Sequence, residues 1–214
     1  MTEARLGPDQ RRALESAAAR LAEEFDGVFG LETIERFLTS SYDQFADRAG
    51  ATSFLPIMAE RFARERLTAL ARVEGTSNDG LPTVLFLCVH NAGRSQMALG
   101  YFNHLAGVQG VAWSGGSEPG NEINPSAVQA MAEVGIDITR EFPKPWTDEI
   151  VQAADVVVTM GCGDACPFFP GKRYENWELP DPAGQGVDAV RPIRDDIEER
   201  VRRLLAELGI NPAA

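Results

Sequence analysis

Histidine and cysteine are scarce in this chain, two and three among 214 residues. A structural zinc site needs four nitrogen or sulfur ligands, and His90 and His104 are the only imidazoles available to join Cys88, Cys162 and Cys166, so no metal centre is expected. The odd cysteine count also argues against a closed disulfide framework. Basic residues are few as well: 20 Lys and Arg stand against 32 Asp and Glu, and the resulting net charge of −12 repels nucleic acid and anionic membranes. A phosphate-like ligand therefore needs a local pocket of its own. No Gly-Lys-Ser/Thr ending is present, which removes the nucleotide-binding phosphate cradle. Long apolar runs are missing too. The opening MTEARLGPDQRR lacks the core of a signal peptide and no later run approaches a membrane span, so the expected location is cytoplasmic. Thiols in that compartment are more often reactive groups or metal ligands than structural disulfides.

What is present falls into two patterns. Leu14, Ala18, Leu21 and Phe25 recur at helical spacing after Pro8, and Gly27 and Gly30 end that stripe. Leu31, Ile34, Phe37, Leu38 and Phe45 form a second stripe closed by Gly50. Thr52 or Ser53 can cap a third helix carrying Phe54, Leu55, Met58 and Phe62. The turn-rich stretch EGTSNDGLP, Glu74 to Pro82, reads as a linker. The expected domains are an all-α three-helix bundle over 1–75, a linker over 76–82 and a second domain over 83–214.

The second domain alternates strands and helices. Strands are expected over Val84 to Leu87, Val111 to Ser114, Asp155 to Met160 and Lys172 to Trp177. Helices are expected over Gln96 to Leu105, Pro125 to Val134, Thr147 to Ala153 and Ile193 to Leu208. This is an α/β pattern: four candidate strands in a parallel sheet with helices on both faces. In such a sheet ligands bind beyond the carboxyl ends of the strands, and Cys88 sits at one such end.

The stretch VLFLCVHNAGRSQMA runs that strand into a loop and then a helix. Between Cys88 and Arg94 lie Val89, His90, Asn91, Ala92 and Gly93. Gly93 can take positive φ and Asn91 tolerates it, so successive N–H groups can point inward and cradle an anion, with the positive end of the helix behind them. Arg94 can grip two oxyanion oxygens with its planar fork. The same field suits an anionic Cys88 sulfur, and the Ser95 hydroxyl can donate to it. A small core cysteine beside a surface arginine is the plainer reading, but strand, glycine, serine and helix start all agree on an activated nucleophile under a bound anion. Downstream, GCGDACP carries Cys162 and Cys166 among glycines and a proline, and a thiol relay with Cys88 accounts for all three cysteines. In ELPDPAG, Asp181 lies in a loop from which it can reach the same crevice as a general acid, although spacing alone favours a turn-forming aspartate.

These motifs resemble the arsenate reductases built on the low-molecular-weight protein tyrosine phosphatase fold. The resemblance spans Leu81 to about Leu208 and rests on CVHNAGRSQMA, SGGSEPGNEINPSAVQAMAEVGIDIT, ADVVVTMGCGDACP and the Asp181-Pro182 loop. It implies that Cys88 attacks arsenate, that residues 89–95 bind it, that Asn91 supports the loop, that Arg94 holds oxyanion and that Ser95 supports the sulfur. It further implies that Cys162 and Cys166 pass a disulfide outward to thioredoxin as external reductant, and that Asp181 is the acid. No bound cofactor is implied. The first 80 residues depart from the single-domain pattern and resemble a bundle attached to some actinobacterial relatives, expected here to form a homodimer. Two other activities stay open: a mycothiol-dependent arsenate transferase, for which Cys162 and Cys166 are superfluous, and a tyrosine phosphatase, which typically carries tyrosine where Ala183 follows Asp181-Pro182.

Overall fold

The computed structural model describes residues 7–46, 54–76, 80–161 and 168–212. It divides into two compact units, Met1–Asn78 and Asp79–Ala214.

The first unit holds helices α1 (Pro8–Glu24), α2 (Leu31–Ala46) and α3 (Leu55–Val73). Pro8 occupies the first helical position, where its missing N–H costs nothing. The stripes meet in a core of Leu21, Ile34, Leu38, Phe45, Phe62 and Leu67, each at most 4% exposed. Phe45 and Phe62 meet edge to face at 5.6 Å, the arrangement the ring quadrupoles favour. Arg66 inserts its guanidinium 4.6 Å from the Phe37 ring centroid and donates to Ser40 Oγ and Ser41 Oγ. Leu31 and Phe54 of the expected stripes are instead 54% and 64% exposed; Leu31 opens α2 and Phe54 is the residue before α3, while Leu14 and Met58 are half-buried. The expected caps Thr52 and Ser53, and Gly50, lie outside the described residues.

In the second unit the chain runs β1 (Thr83–Cys88), α4 (Arg94–Ala106), a 3-10 turn (Gly107–Gln109), β2 (Val111–Gly116), α5 (Pro125–Glu133), α6 (Asp148–Ala153), β3 (Val156–Met160), β4 (Arg173–Asn176) and α7 (Val187–Glu207). The strands form one parallel sheet in the order β2-β1-β3-β4. All six residues of β1 are buried, as an unbroken apolar run requires when both faces are covered. Val84, Phe86 and Cys88 join Val156, Val158 and Met160 in a core with residues of α4, α5 and α7. Leu85, Leu87 and Val157 are equally buried, and α6 packs against β1. Helix α7 begins six residues before the expected Ile193 and carries Pro192 inside it. A proline normally marks a helix start, but buried Val190 supplies enough packing to extend the helix in front of it. Among the described residues no helix is long and apolar enough to cross a membrane.

This topology places the site. From β1 the chain crosses to β2 on one side, then to β3 on the other, so β1 is the point where strand order reverses. Cys88 pairs in register with Gly116 and with Met160, so three strands end level with it. A crevice opens there because the connections diverge.

Phe86 is fully buried, with ring centroids 6.0 Å from Phe102 and 5.8 Å from Trp177. Phe86→Ala is expected to destabilise the second unit by about 3–5 kcal/mol. The three tryptophans, Trp113, Trp146 and Trp177, all lie in that unit, so the urea midpoint followed by tryptophan fluorescence reports it without interference from the bundle.

Candidate active site

Cys88 ends the central strand with 2% of its surface exposed. Two donors converge on its sulfur. The Asn91 N–H lies 3.2 Å from Sγ, and Ser95 Oγ lies 3.0 Å away. The direction of the second bond follows from a third. Asn91 Nδ2 donates to Ser95 Oγ at 2.8 Å, so that oxygen already accepts, and its own hydrogen is left for the sulfur. Both contacts aim hydrogen-bond donors at the Cys88 sulfur.

The loop after Cys88 turns its carbonyls outward. Val89 O accepts from Glu118 N at 2.9 Å, His90 O from Gly120 N at 2.9 Å and Ala92 O from Asn124 N at 2.8 Å. Asn91 O accepts from Gln96 Nε2 at 3.0 Å. In a planar trans peptide the N–H opposes the preceding C=O. The amides of His90, Asn91, Ala92 and Gly93 are therefore turned inward, as the Asn91 contact to sulfur already shows. Helix α4 starts at Arg94, and its first N–H groups face the same space with the positive end of the helix behind them. The result is an anion cradle above a sulfur.

Asn91 is what makes this curl possible, in the conformation that the sequence reading allowed it, and the structure corrects that reading only at Gly93. Its φ is +47°, whereas Gly93, expected to supply positive φ, has φ −128°. Gly93 is required for space instead. A Cβ there would lie 2.6 Å from Pro182 Cγ. Asn91 is fully buried, and its Oδ1 accepts from Lys144 N at 3.0 Å and Gln96 Nε2 at 3.1 Å. Gly116, at the end of β2, allows the loop to approach: a Cβ there would stand 2.5 Å from Val89 O.

Arg94 is 7% exposed, and its Nη2 lies 3.4 Å from Asp181 Oδ2. The loop expected to carry the acid, here called the acid loop, thus reaches the arginine of the cradle. Asp181 also acts as the turn former that spacing suggested, accepting from Ala183 N at 3.1 Å with its other oxygen. Its loop is pinned by Asn124, whose Nδ2 donates to Pro182 O at 3.0 Å while its Oδ1 caps α5 through Ser126 N and Ala127 N. Ser126 Oγ adds a bond to Gln185 O at 2.8 Å. His90 is exposed, and its ring nitrogen pairs with Glu118 O at 3.0 Å; its backbone, not its imidazole, faces the cradle. Gly161 follows β3 on the way to the other cysteines, and a Cβ at Gly161 would fall 2.9 Å from Arg94 Nη1. Cys162 and Cys166 themselves lie outside the described residues.

Residues 83–213 match the family described as low molecular weight phosphotyrosine protein phosphatase. The chain belongs to that family. Residues 14–71 of this phosphatase-family chain match a second description, the protein-tyrosine-phosphatase-like N-terminal domain. Among solved structures, a thioredoxin-dependent arsenate reductase of Corynebacterium glutamicum is 44% identical, with a TM-score of 0.83 over 92% of this chain and 97% of its own. Arsenate reductase 2 of Staphylococcus epidermidis is 37% identical over 123 residues, 56% of this chain and 92% of its own. A tyrosine phosphatase of Erwinia amylovora, at 17% identity and a TM-score of 0.54, shares the fold.

Three positioning residues were not legible in advance: Gln96, Lys144 and Asn124. Only Asn124 carried a local signal, an Asn-Pro pair at a helix start. Gln96 and Lys144 act across 46 and 53 residues of chain, bonding Phe142 O and Asn91, and no periodicity reports such contacts.

Gly93→Ala forces the acid loop away from the cradle while leaving the donors to Cys88 in place. Turnover is expected to fall tenfold or more, since misplacing a reacting group by about 1 Å costs up to ~100-fold. Alkylation of Cys88 by iodoacetamide at neutral pH is expected to change less than twofold.

Proposed function

We propose that this protein reduces arsenate to arsenite with thioredoxin as the electron donor. The observation that carries the reading is the two-domain match: 44% identity over 92% of the chain with a thioredoxin-dependent arsenate reductase. The geometry supports the same chemistry. Arsenate is a tetrahedral oxyanion that suits the inward amides and Arg94, and Cys88 lies beneath with two hydrogen-bond donors on its sulfur. In the proposed reaction the Cys88 thiolate attacks arsenic, and Asp181 protonates the departing oxygen, which leaves as water. The Cys162 thiolate then attacks Cys88 Sγ. A sulfur–sulfur bond forms, the sulfur–arsenic bond breaks, and its electron pair stays on arsenic as arsenite departs. Cys166 attacks Cys162, freeing Cys88, and thioredoxin returns both cysteines to thiols by dithiol exchange. The cytoplasm, where such a reductant is kept reduced, is the proposed location.

A tyrosine phosphatase would use the same cradle, but it needs a wall for the phenyl ring. Ala183, which follows Asp181-Pro182, is small and exposed. A mycothiol-dependent transferase would leave Cys162 and Cys166 without a task.

The experiment is arsenite formation by purified protein with thioredoxin, mycothiol or a small dithiol supplied separately. Cys88→Ser is expected to abolish arsenite formation. Cys162→Ser is expected to stall at the arsenic adduct, and Cys166→Ser after one turnover with Cys88 joined to Cys162. Peptide mapping after one equivalent of arsenate distinguishes these species. Sustained thioredoxin-driven turnover by Cys166→Ser would show that the relay is unnecessary.

The bundle is proposed to pair with a second copy of the chain. Leu31, Phe54 and Ile57 leave 54%, 64% and 57% of their surface open on the first unit, apolar surface that a second copy would cover. Light scattering of the full chain is expected to give a dimer mass, and the double substitution Phe54→Asp with Ile57→Asp a monomer mass.

A further inference from the structure

Among the described residues, the second unit displays one large aromatic side chain to solvent. Phe168 is 75% exposed, which leaves on the order of 150 Å² open for a side chain of this size. The other exposed apolar residues of the unit, Val108 and Val134, stand singly at helix ends, an ordinary pattern. Phe168 is different because it is held. Its ring stacks on Tyr174 of β4 at 5.0 Å with 28° between the planes. The Tyr174 hydroxyl accepts from Phe169 N at 2.8 Å, so the backbone beside the ring is strapped to the same tyrosine. One face of Phe168 is covered, and the other is offered outward at small further cost in rotamer freedom.

Its place in the chain gives this ring a partner. Phe168 is two residues after Cys166. Two Cα–Cα steps keep the Cys166 Cα within about 7.6 Å of the Phe168 Cα, whatever the path between them. A reductant that forms a bond with Cys166 must bring its own sulfur to about 2 Å from that sulfur. A protein reductant doing so lays the surface around its reactive cysteine over everything within that radius. A small thiol covers almost none of it.

We infer that the outward face of Phe168, braced by Tyr174, is the docking contact for the thioredoxin-class dithiol protein that reduces the Cys162–Cys166 disulfide. The inference rests on the relay proposed above and deepens it. In the step it serves, one reductant thiolate attacks a sulfur of that disulfide and releases the other as thiolate. The second reductant thiol then closes the reductant's own disulfide and releases the remaining cysteine, so two electrons and two protons pass to this chain. Phe168 takes no part in the exchange. It supplies a braced apolar anchor, an aromatic of the kind enriched in the buried cores of interfaces.

The test compares two reductants on the full chain. Phe168→Ala is expected to raise the KM for a bacterial thioredoxin, kept reduced by its reductase and NADPH, tenfold or more. Turnover driven by dithiothreitol, and arsenite released in a single turnover without reductant, are expected to stay within twofold of the parent protein. Phe168→Tyr keeps the ring and is expected to restore the thioredoxin KM. An unchanged thioredoxin KM in Phe168→Ala, or equal losses with thioredoxin and dithiothreitol, would overturn the docking role; equal losses would mean that the ring merely shapes the segment. Parent protein that makes no arsenite in either arm would overturn the reductase reading and this inference with it, an outcome distinguishable from the first two by the parent control alone.

Discussion

Everything at the candidate site depends on one residue held in an uncommon backbone conformation. Asn91 has φ +47°, a left-handed geometry that costs a residue with a side chain about 1–2 kcal/mol. Its Oδ1, Nδ2, N–H and carbonyl are all engaged, with Lys144, Ser95, Cys88 and Gln96. At about 0.5–1.5 kcal/mol net for each such bond, the bonds outweigh the strain. The conformation does chemical work by reversing the direction of the peptide units. Carbonyls that would otherwise face the anion are committed to Glu118, Gly120 and Asn124 instead, and the amides face inward.

The cradle works only because several distant segments meet at the end of β1. Gly116 closes from β2 and Pro182 rests on Gly93 from the acid loop, each through a contact that leaves no room for a Cβ. Asn124 ties the start of α5 to that same acid loop. A carbonyl of the backbone, as at Gly116, and a closed proline ring, as at Gly93, have few ways to relax, unlike a flexible side chain, so these contacts hold position closely. Arg94 then sits between the cradle, Asp181 and Gly161, the residue that precedes the Cys162 segment.

This arrangement also separates tasks. The buried sulfur at the strand end is protected by its loop, whereas the exposed ring of Phe168 lies beyond the other end of the cysteine segment. Under the proposed relay, electrons entering from a protein partner need not bring that partner into the cradle. The chain's acidic balance, −12 in formal charge, leaves the cradle as a local inversion of sign made largely of backbone dipoles and one arginine.

Much of this was legible in the sequence by itself. An apolar run reads as a buried strand because burial on both faces excludes polar residues, and β1 spans Thr83–Cys88 accordingly. Cys88, Arg94 and Ser95 follow it at a spacing that local geometry alone turns into a loop and a helix start. Helical periodicity likewise specified the three helices of the bundle. Tertiary structure decided what depends on distant parts of the chain. It assigned positive φ to Asn91 and gave Gly93 a steric task, because the choice between them is made by Pro182, 89 residues onward, and by Lys144 and Gln96 around the asparagine side chain. It extended α7 through Pro192, because buried Val190 outweighs a proline's local preference. It also left Leu31 and Phe54 in solvent, since periodicity tells which residues share a face and only packing decides whether another element reaches far enough to cover it.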